Sequence, residues 1–239
     1  MAGRLDGRIA VVTGASRGIG AAVARRFAAE GAHVVAVGRT TGALEELDDA
    51  IRAAGGTATL APFDLKDFAA IDRLGASLYE RYKRLDILVG NAATLGTLTP
   101  VAQIRPAEFE EVLAINLTAN WRLVRSLDPL LRASPSGRAI FVTSLVAQTP
   151  RAYWGSYAIS KAALEMMVRT YAAETAKTDL RVNLLDPGRT RTAMRARAFP
   201  GEDPKTVPSP EEWTDFFVEL AEPACTRHGE RIRTQPLPA

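Results

Sequence analysis

"TGASRGIG", residues 13–20, leaves the β-rich run "RIAVVTG" (8–14) and opens a segment, 18–30, in which Ile19, Val23 and Phe27 recur at helical spacing. The reading is strand, glycine turn, helix. Gly14, Gly18 and Gly20 remove the Cβ atoms that would block a tight turn, close backbone approach to a pyrophosphate and close helix packing. A helix starting there offers unpaired N–H groups and the positive end of its dipole, so a diphosphate fits. A glycine triplet also suits a plain βα turn. Its place after the first strand and at the start of a helix is what points to a dinucleotide.

Working outward, "HVVAVG" from His33 repeats the strand signal, and residues 42–54 carry Leu44, Leu47 and Ile51 on one helical face before Gly55-Gly56. The alternation continues with a strand near 57–62, a helix near 67–83 after Asp67, a strand at 86–90 and a long helix from Pro106. A strand at 138–144, a helix over 154–177 and the strand "RVNLLD" (181–186) follow. Ser209-Pro210-Glu211-Glu212 resembles a capping box, and "GERIRT" supplies a seventh strand. Alternating strands and helices predict an α/β fold, a parallel sheet covered on both faces, in one domain over 1–239. In such sheets ligands bind beyond the carboxyl ends of the strands, where strand order reverses.

Composition narrows the chemistry. The 239 residues are 47% hydrophobic and 24% charged, as in an ordinary soluble globular protein. No apolar run approaches the roughly 20 residues of a membrane-spanning helix, and the N-terminus reaches its glycine turn too early for a signal peptide. A cytoplasmic location, with no membrane partner, is the expectation. One cysteine, Cys225, excludes an internal disulfide, and with only His33 and His228 beside it no metal site is expected. The net charge of +3 is dispersed without a basic run, which argues against a nucleic-acid partner and for a small anion held locally.

The glycine spacing is GxxxGxG, and "GNAAT" (90–94), "INLTA" containing Asn116, "FVTS" ending at Ser144, "YAISK" (157–161) and "DPGRTRT" (186–192) come after it in order. This set resembles the single-domain branch of the short-chain dehydrogenase/reductase family over roughly residues 6–195. The resemblance implies a Rossmann-type doubly wound parallel sheet of about seven strands. It also implies hydride transfer between a nicotinamide dinucleotide and a small carbonyl or alcohol substrate. Asn116, Ser144, Tyr157 and Lys161 match the family's catalytic set. Gly14, Ser16, Arg17, Gly18, Ile19 and Gly20 match its phosphate loop. Asp64, with Leu65 beside it, matches the adenine contact, and Asn91 the loop after the fourth strand. Pro187, Gly188, Thr190 and Thr192 match the turn that faces the nicotinamide carboxamide, Tyr157 and Lys161 also line the cofactor, and Asn116 would hold a water that links Lys161 to solvent. Two departures stand in "GNAAT", where Gly90 and Ala93 replace an Asn and a Gly. A third is the ending, "RTQPLPA", where the family commonly has an aspartate and two glycines.

Residue chemistry refines this. An acidic residue ending the second strand would accept hydrogen bonds from a ribose diol and repel a 2′-phosphate. Here the strand ends "VGRT", and Arg39, with Arg17 nearby, suits a phosphate, so NADP(H) is preferred and NAD(H) possible. A tyrosine with a pKa of about 10 is a poor acid–base at neutral pH. Lys161, one helical turn on, and a cationic nicotinamide ring would lower it, while Ser144 could donate to the substrate oxygen. The same spacing recurs as Tyr79 and Lys83 in "YERYK", and that copy, on a helix leading into a strand, reads as covering packing and a solvated charge.

Residues near 189–215, rich in Pro, Gly and charge, read as a substrate-covering segment. Arg189, Arg191, Arg195 and Arg197 within it could attract an acidic substrate. A homodimer or homotetramer, paired through the helices at 106–133 and 154–177, is expected. The competing reading is a dinucleotide-binding regulator or scaffold of the same fold without turnover.

Overall fold

The computed structural model describes residues 3–235. Seven parallel strands form one sheet in the order β3-β2-β1-β4-β5-β6-β7. The strands are β1 (Ile9–Thr13), β2 (His33–Gly38), β3 (Thr57–Pro62), β4 (Ile87–Gly90), β5 (Arg138–Val142), β6 (Arg181–Asp186) and β7 (Arg231–Arg233). Between them run α1 (Gly18–Ala29), α2 (Thr41–Ala53), α3 (Phe68–Tyr82), α4 (Pro106–Leu113), α5 (Ala119–Ala133), α6 (Gly155–Thr175), α7 (Ala193–Ala198) and α8 (Thr214–Ala221). The seven strands and the helices up to α6 follow the order of the sequence reading with ends moved by one or two residues, while α7 is an added helix inside the segment read as substrate-covering.

The sheet is apolar on both faces because helices cover both. Ala10 and Val12 of β1 point into one core with Val34, Ala36, Ile87, Val89, Phe27 of α1, Leu44 of α2 and Phe217 of α8. Val11 points into the other, with Val35, Leu88, Phe141, Ile71 of α3, Leu123 of α5 and Leu164 of α6. This two-sided burial is why the inner strands β1, β2, β4 and β5 read as nearly continuous Val, Ile, Ala and Leu rather than as an alternation.

Strand order reverses between β1 and β4, which pair in register from Ala10 with Ile87 to Val12 with Val89. The glycine turn leaves β1 and "NAAT" leaves β4, so both face one crevice at the carboxyl edge. The long helix expected from Pro106 is broken by a π turn at Ala114–Thr118. The expected strand at 138–144 stops at Val142, because Ser144 begins a short 3₁₀ turn over Leu145–Ala147. The Ser209–Glu212 capping box forms and starts a 3₁₀ turn, Pro210–Trp213, that runs into α8. The departure from the family ending lies partly outside the described residues, from Pro236 onward.

Candidate active site

The glycine turn is built as its sequence demands. Gly14 and Gly18 have φ of +67° and +57°, where a side chain would be strained. A Cβ on Gly20 would lie 2.3 Å from the Gly14 carbonyl oxygen, so residue 20 must be bare for the turn to close. Arg17 is the N-cap of α1 in extended conformation, makes no side-chain cap, and the first turn holds no acid. The first N–H groups of α1 are left for an external acceptor. Ser16 sits half-buried beside Gly38, whose Cβ would come 3.4 Å from that of Ser16. Ile19 packs partly buried on the core.

Thr13 ties the turn to β4. Its Oγ1 donates to the Val89 carbonyl (3.2 Å) and accepts from the N–H groups of Asn91 (3.0 Å) and Ala92 (3.1 Å). Asn91 returns its side-chain amide to the Thr13 carbonyl at 2.8 Å. The Gly90 departure has a packing cause: a Cβ there would lie 2.5 Å from both Asn120 Oδ1 and Phe141 Cδ1. Asn120, on α5, occupies the space.

At the far end of β2, Arg39 is exposed and its Nη1 lies 3.8 Å from Asp64 Oδ2. No acid follows β2 directly, and Thr40, the N-cap of α2, makes no side-chain cap either. Asp64 is half-buried, and its Oδ1 accepts from the Lys66 N–H at 2.9 Å. The Leu65 side chain is buried in the core, leaving only its backbone for a ligand.

On α6, Tyr157 and Lys161 share a buried stripe, at 8% and 1% exposure. Lys161 Nζ lies 5.8 Å from the Tyr157 ring centroid and donates to the Val142 carbonyl at 2.8 Å, where β5 ends. Ser144 stands half-buried just beyond. The expected lowering of the phenol joined the lysine to a cationic nicotinamide ring, and in the protein alone burial outweighs the lysine. Burial raises the Tyr157 pKa well above the ordinary value and the Asp186 charge adds to this, while a hydrogen bond with Ser144 acts in the opposite sense. It is the lysine that yields: burial lowers Lys161 to about 8 against the opposing pull of Glu165 and Asp186.

Asn116 lies in the π turn, fully buried, with its side chain committed. Its Oδ1 accepts from Thr94 N–H (2.8 Å), and its Nδ2 donates to the Thr94 carbonyl and to Ser160 Oγ, both at 2.9 Å. The main-chain carbonyl accepts from Asn120 Nδ2 at 2.9 Å. Asn116 therefore clamps the loop after β4 to α6, a task the sequence did not suggest.

The turn after β6 reaches back over the glycine loop. Pro187 and Gly188, the latter with φ of +62°, reverse the chain. Thr190 is buried, its Oγ1 3.4 Å from the Pro187 carbonyl. Thr192 caps α7 by accepting from Arg195 N–H, and its Cγ2 would touch a Cβ on Gly18 at 3.3 Å. Gln235, absent from the sequence reading, pins this turn: its Nε2 donates to the carbonyls of Pro187 (3.3 Å) and Arg189 (2.8 Å), and its Oε1 accepts from Arg189 N–H (3.3 Å).

The arginines beyond that turn are largely engaged. Arg195 forks onto Glu202 with two 2.6 Å bonds and stacks on Phe199 at 3.6 Å. Arg189 lies 3.7 Å from the same carboxylate, and Arg197 donates to the Gly96 carbonyl at 2.9 Å. An acidic substrate held by Arg195 would have to displace Glu202. Phe199 meets Trp154, whose ring meets Tyr157 edge-on at 6.0 Å, so aromatic surface lies beside the phenol. Between the loop after β4, α4 and Arg197 lies a cavity of about 420 Å³, lined by Thr94, Gly96, Arg105, Glu108, Val112 and Arg197. The described residues hold no group of three or more potential metal ligands and no helix long and apolar enough to cross a membrane.

The family short chain dehydrogenase matches residues 8–203. The chain belongs to that family. As a short chain dehydrogenase it is an oxidoreductase with the seven-stranded parallel Rossmann-type sheet. It is 38% identical to the uncharacterized oxidoreductase YciK of Escherichia coli K12, covering 90% of this chain and 86% of that one. The crystal structure of an oxidoreductase, yciK from E. coli, superposes with a TM-score of 0.94 at 35% identity, covering 99% of this chain and 98% of the other. A structure described as a short chain dehydrogenase of E. coli CFT073, complexed with NADPH, also superposes at 0.94 and 35% identity, covering 99% and 100%.

Proposed function

We propose that this chain is an NADP(H)-dependent carbonyl reductase or alcohol dehydrogenase in which Tyr157 exchanges the proton with the substrate oxygen. The observation that carries the reading is the placement of Tyr157, Lys161 and Ser144 together at the carboxyl edge of the sheet. The glycine turn opens on the same edge.

The residues present fit the dinucleotide. The bare Gly14–Gly20 turn and the uncapped first turn of α1 suit a diphosphate, and Gly18 lies against Thr192, so that loop and the turn after β6 can hold one ligand between them. Arg39, with no acid following β2, suits a 2′-phosphate, and the NADPH complex of a neighbour of 35% identity supports that choice. Bound there, the nicotinamide supplies the hydride.

The chain's own residues supply the rest. Burial keeps Tyr157 protonated, which suits delivery of a proton to a carbonyl oxygen. Ser144 donates to the same oxygen as negative charge develops. Lys161, titrating at about 8, gains or loses a proton near neutral pH and so can recharge the phenol. Trp154, backed by Phe199, presents an apolar wall to one side of the phenol.

A panel of ketones and alcohols with NADPH and NADP⁺, run beside Tyr157→Phe, tests the reading. Turnover should fall by about 10³-fold in the variant while cofactor binding persists. Cofactor binding with no turnover of any substrate, in either form, would instead favour a dinucleotide-binding regulator. Arg39→Ala should weaken NADPH by about 10-fold or more and leave NADH nearly unchanged.

A further inference from the structure

Glu165 sits one turn beyond Lys161, so that Tyr157, Lys161 and Glu165 form a continuous stripe on α6, and all three are buried. Asp186, the last residue of β6, is buried beside them. Two carboxylates in a water-poor pocket need cations. Lys161 is one. The other comes from β7: Arg231 Nε donates to Glu165 Oε1 at 2.7 Å, and its Nη2 donates to Asp186 Oδ2 at 2.9 Å and to the Ser144 carbonyl at 3.1 Å. The Arg231 side chain is 9% exposed, and both carboxylates 6%.

We propose that Arg231 is a positioning residue for the proton-transfer group, closing a neutral buried set of Lys161, Glu165, Asp186 and Arg231 and fixing the backbone of Ser144. The proposal rests on the function read above, since it concerns how Tyr157 and Lys161 are poised. The groups facing Lys161 are few. Its own helix brings Tyr157 and Glu165, β6 brings Asp186, and β7 brings Arg231 with Arg233 at the rim, 3.9 Å from Asp186. Arg169, half in solvent, touches Glu165 at 3.4 Å. The other polar neighbours, Thr143 and Gln148 on Glu165 and Asn116 in the π turn, are uncharged.

Electrostatics give the sign. Glu165 and Asp186 both hold the proton on Lys161, and Asp186 also disfavours a Tyr157 phenolate. Arg231 lies on both carboxylates and spends part of their field. Without it, Lys161 binds its proton more tightly and the phenol becomes a weaker acid.

NMR titration of isotope-labelled lysine side chains reads this directly. Lys161 is assigned by its loss in Lys161→Met, the remainder being Lys66, Lys83, Lys177 and Lys205. Arg231→Gln should raise the proton affinity of Lys161 about tenfold or more, and Arg231→Lys should restore most of the wild-type titration. With a turned-over alcohol, the rising limb of the pH–rate profile should move to higher pH in Arg231→Gln while NADP⁺ affinity stays constant. Coincident Lys161 titrations in wild type and Arg231→Gln would overturn the proposal. Should Arg231→Gln fail to fold, Glu165→Gln serves: removing one carboxylate must loosen the Lys161 proton further, and no movement overturns the proposal as well. Undiminished turnover in Tyr157→Phe would sink the functional reading alone, because the lysine titration would still report the charge coupling.

Discussion

Two tyrosine–lysine pairs of identical spacing stand on two helices of this protein. Tyr79 is 58% exposed, and Lys83 folds back over its ring at 4.5 Å. Lys83 is also the left-handed C-cap of α3, with φ of +61°. Tyr157 and Lys161 lie in the first two turns of α6, buried, with Lys161 bonded to the end of β5 and the Asp186 charge acting on both. The packing role read for Tyr79 from sequence is therefore wrong, while the solvated charge stands. Spacing places two side chains on one face of a helix. What those groups can do is set by the dielectric around them and by partners from other strands.

The comparison breaks most visibly in turnover. Tyr157→Phe should lose about 10³-fold in kcat, whereas Tyr79→Phe should stay within about twofold, measured with the same substrate and NADPH. A smaller effect sharpens what the second pair lacks. Ser144→Ala should cost about 10²-fold in kcat with little change in cofactor affinity, because only the buried tyrosine has a hydroxyl neighbour to share the substrate oxygen.

Stability against pH gives the third measure. Lys161 falls from an ordinary value near 10.5 in the unfolded chain to about 8 when folded, so the unfolded state holds the proton more tightly. This term is absent above the unfolded value, weakens the fold as pH drops through the interval, and is fully expressed below about 8, on the order of 3 kcal/mol. Urea melts between pH 8 and 10.5 should therefore show wild-type stability rising with pH more steeply than that of Lys161→Met. Equal slopes would mean that the two lysines of the comparison differ less than their burial implies. The smallest effect belongs to the exposed pair: Tyr79→Ala should change stability by about 1 kcal/mol or less, the worth of a solvated cation–π contact.

The fold was legible because β1, β2, β4, β5 and β6 are sandwiched between helices, and a segment buried on both sides has little choice but to be apolar, whereas the edge strands β3 and β7 are only partly buried. Short-range signals carried the glycine turn and the Tyr157–Lys161 stripe, since both are local in sequence. What escaped notice was non-local. Arg231 meets Glu165 across 66 positions and Asp186 across 45, and no periodicity links them. "YAISKAALE" does place Glu165 on the stripe, but nothing nearby says that a strand at the far end of the chain neutralises it. The same holds for Gly90, a departure from the family pattern until Asn120 and Phe141 are seen against it. The upward push on Tyr157 in the protein alone is non-local too: spacing reports the lysine, whereas the surrounding burial comes from the whole fold.

The π turn at Ala114–Thr118 carries a final consequence. Such a turn is an ordinary helix holding one surplus residue, so excising a single residue there would regularise α4 through α5 and swing the upstream half by about 100°. Asn116 would then face away from Thr94 and Ser160, freeing the loop after β4 while the sheet stays whole. A one-codon deletion in a helix is thus the smallest edit that could uncouple this protein's architecture from its chemistry.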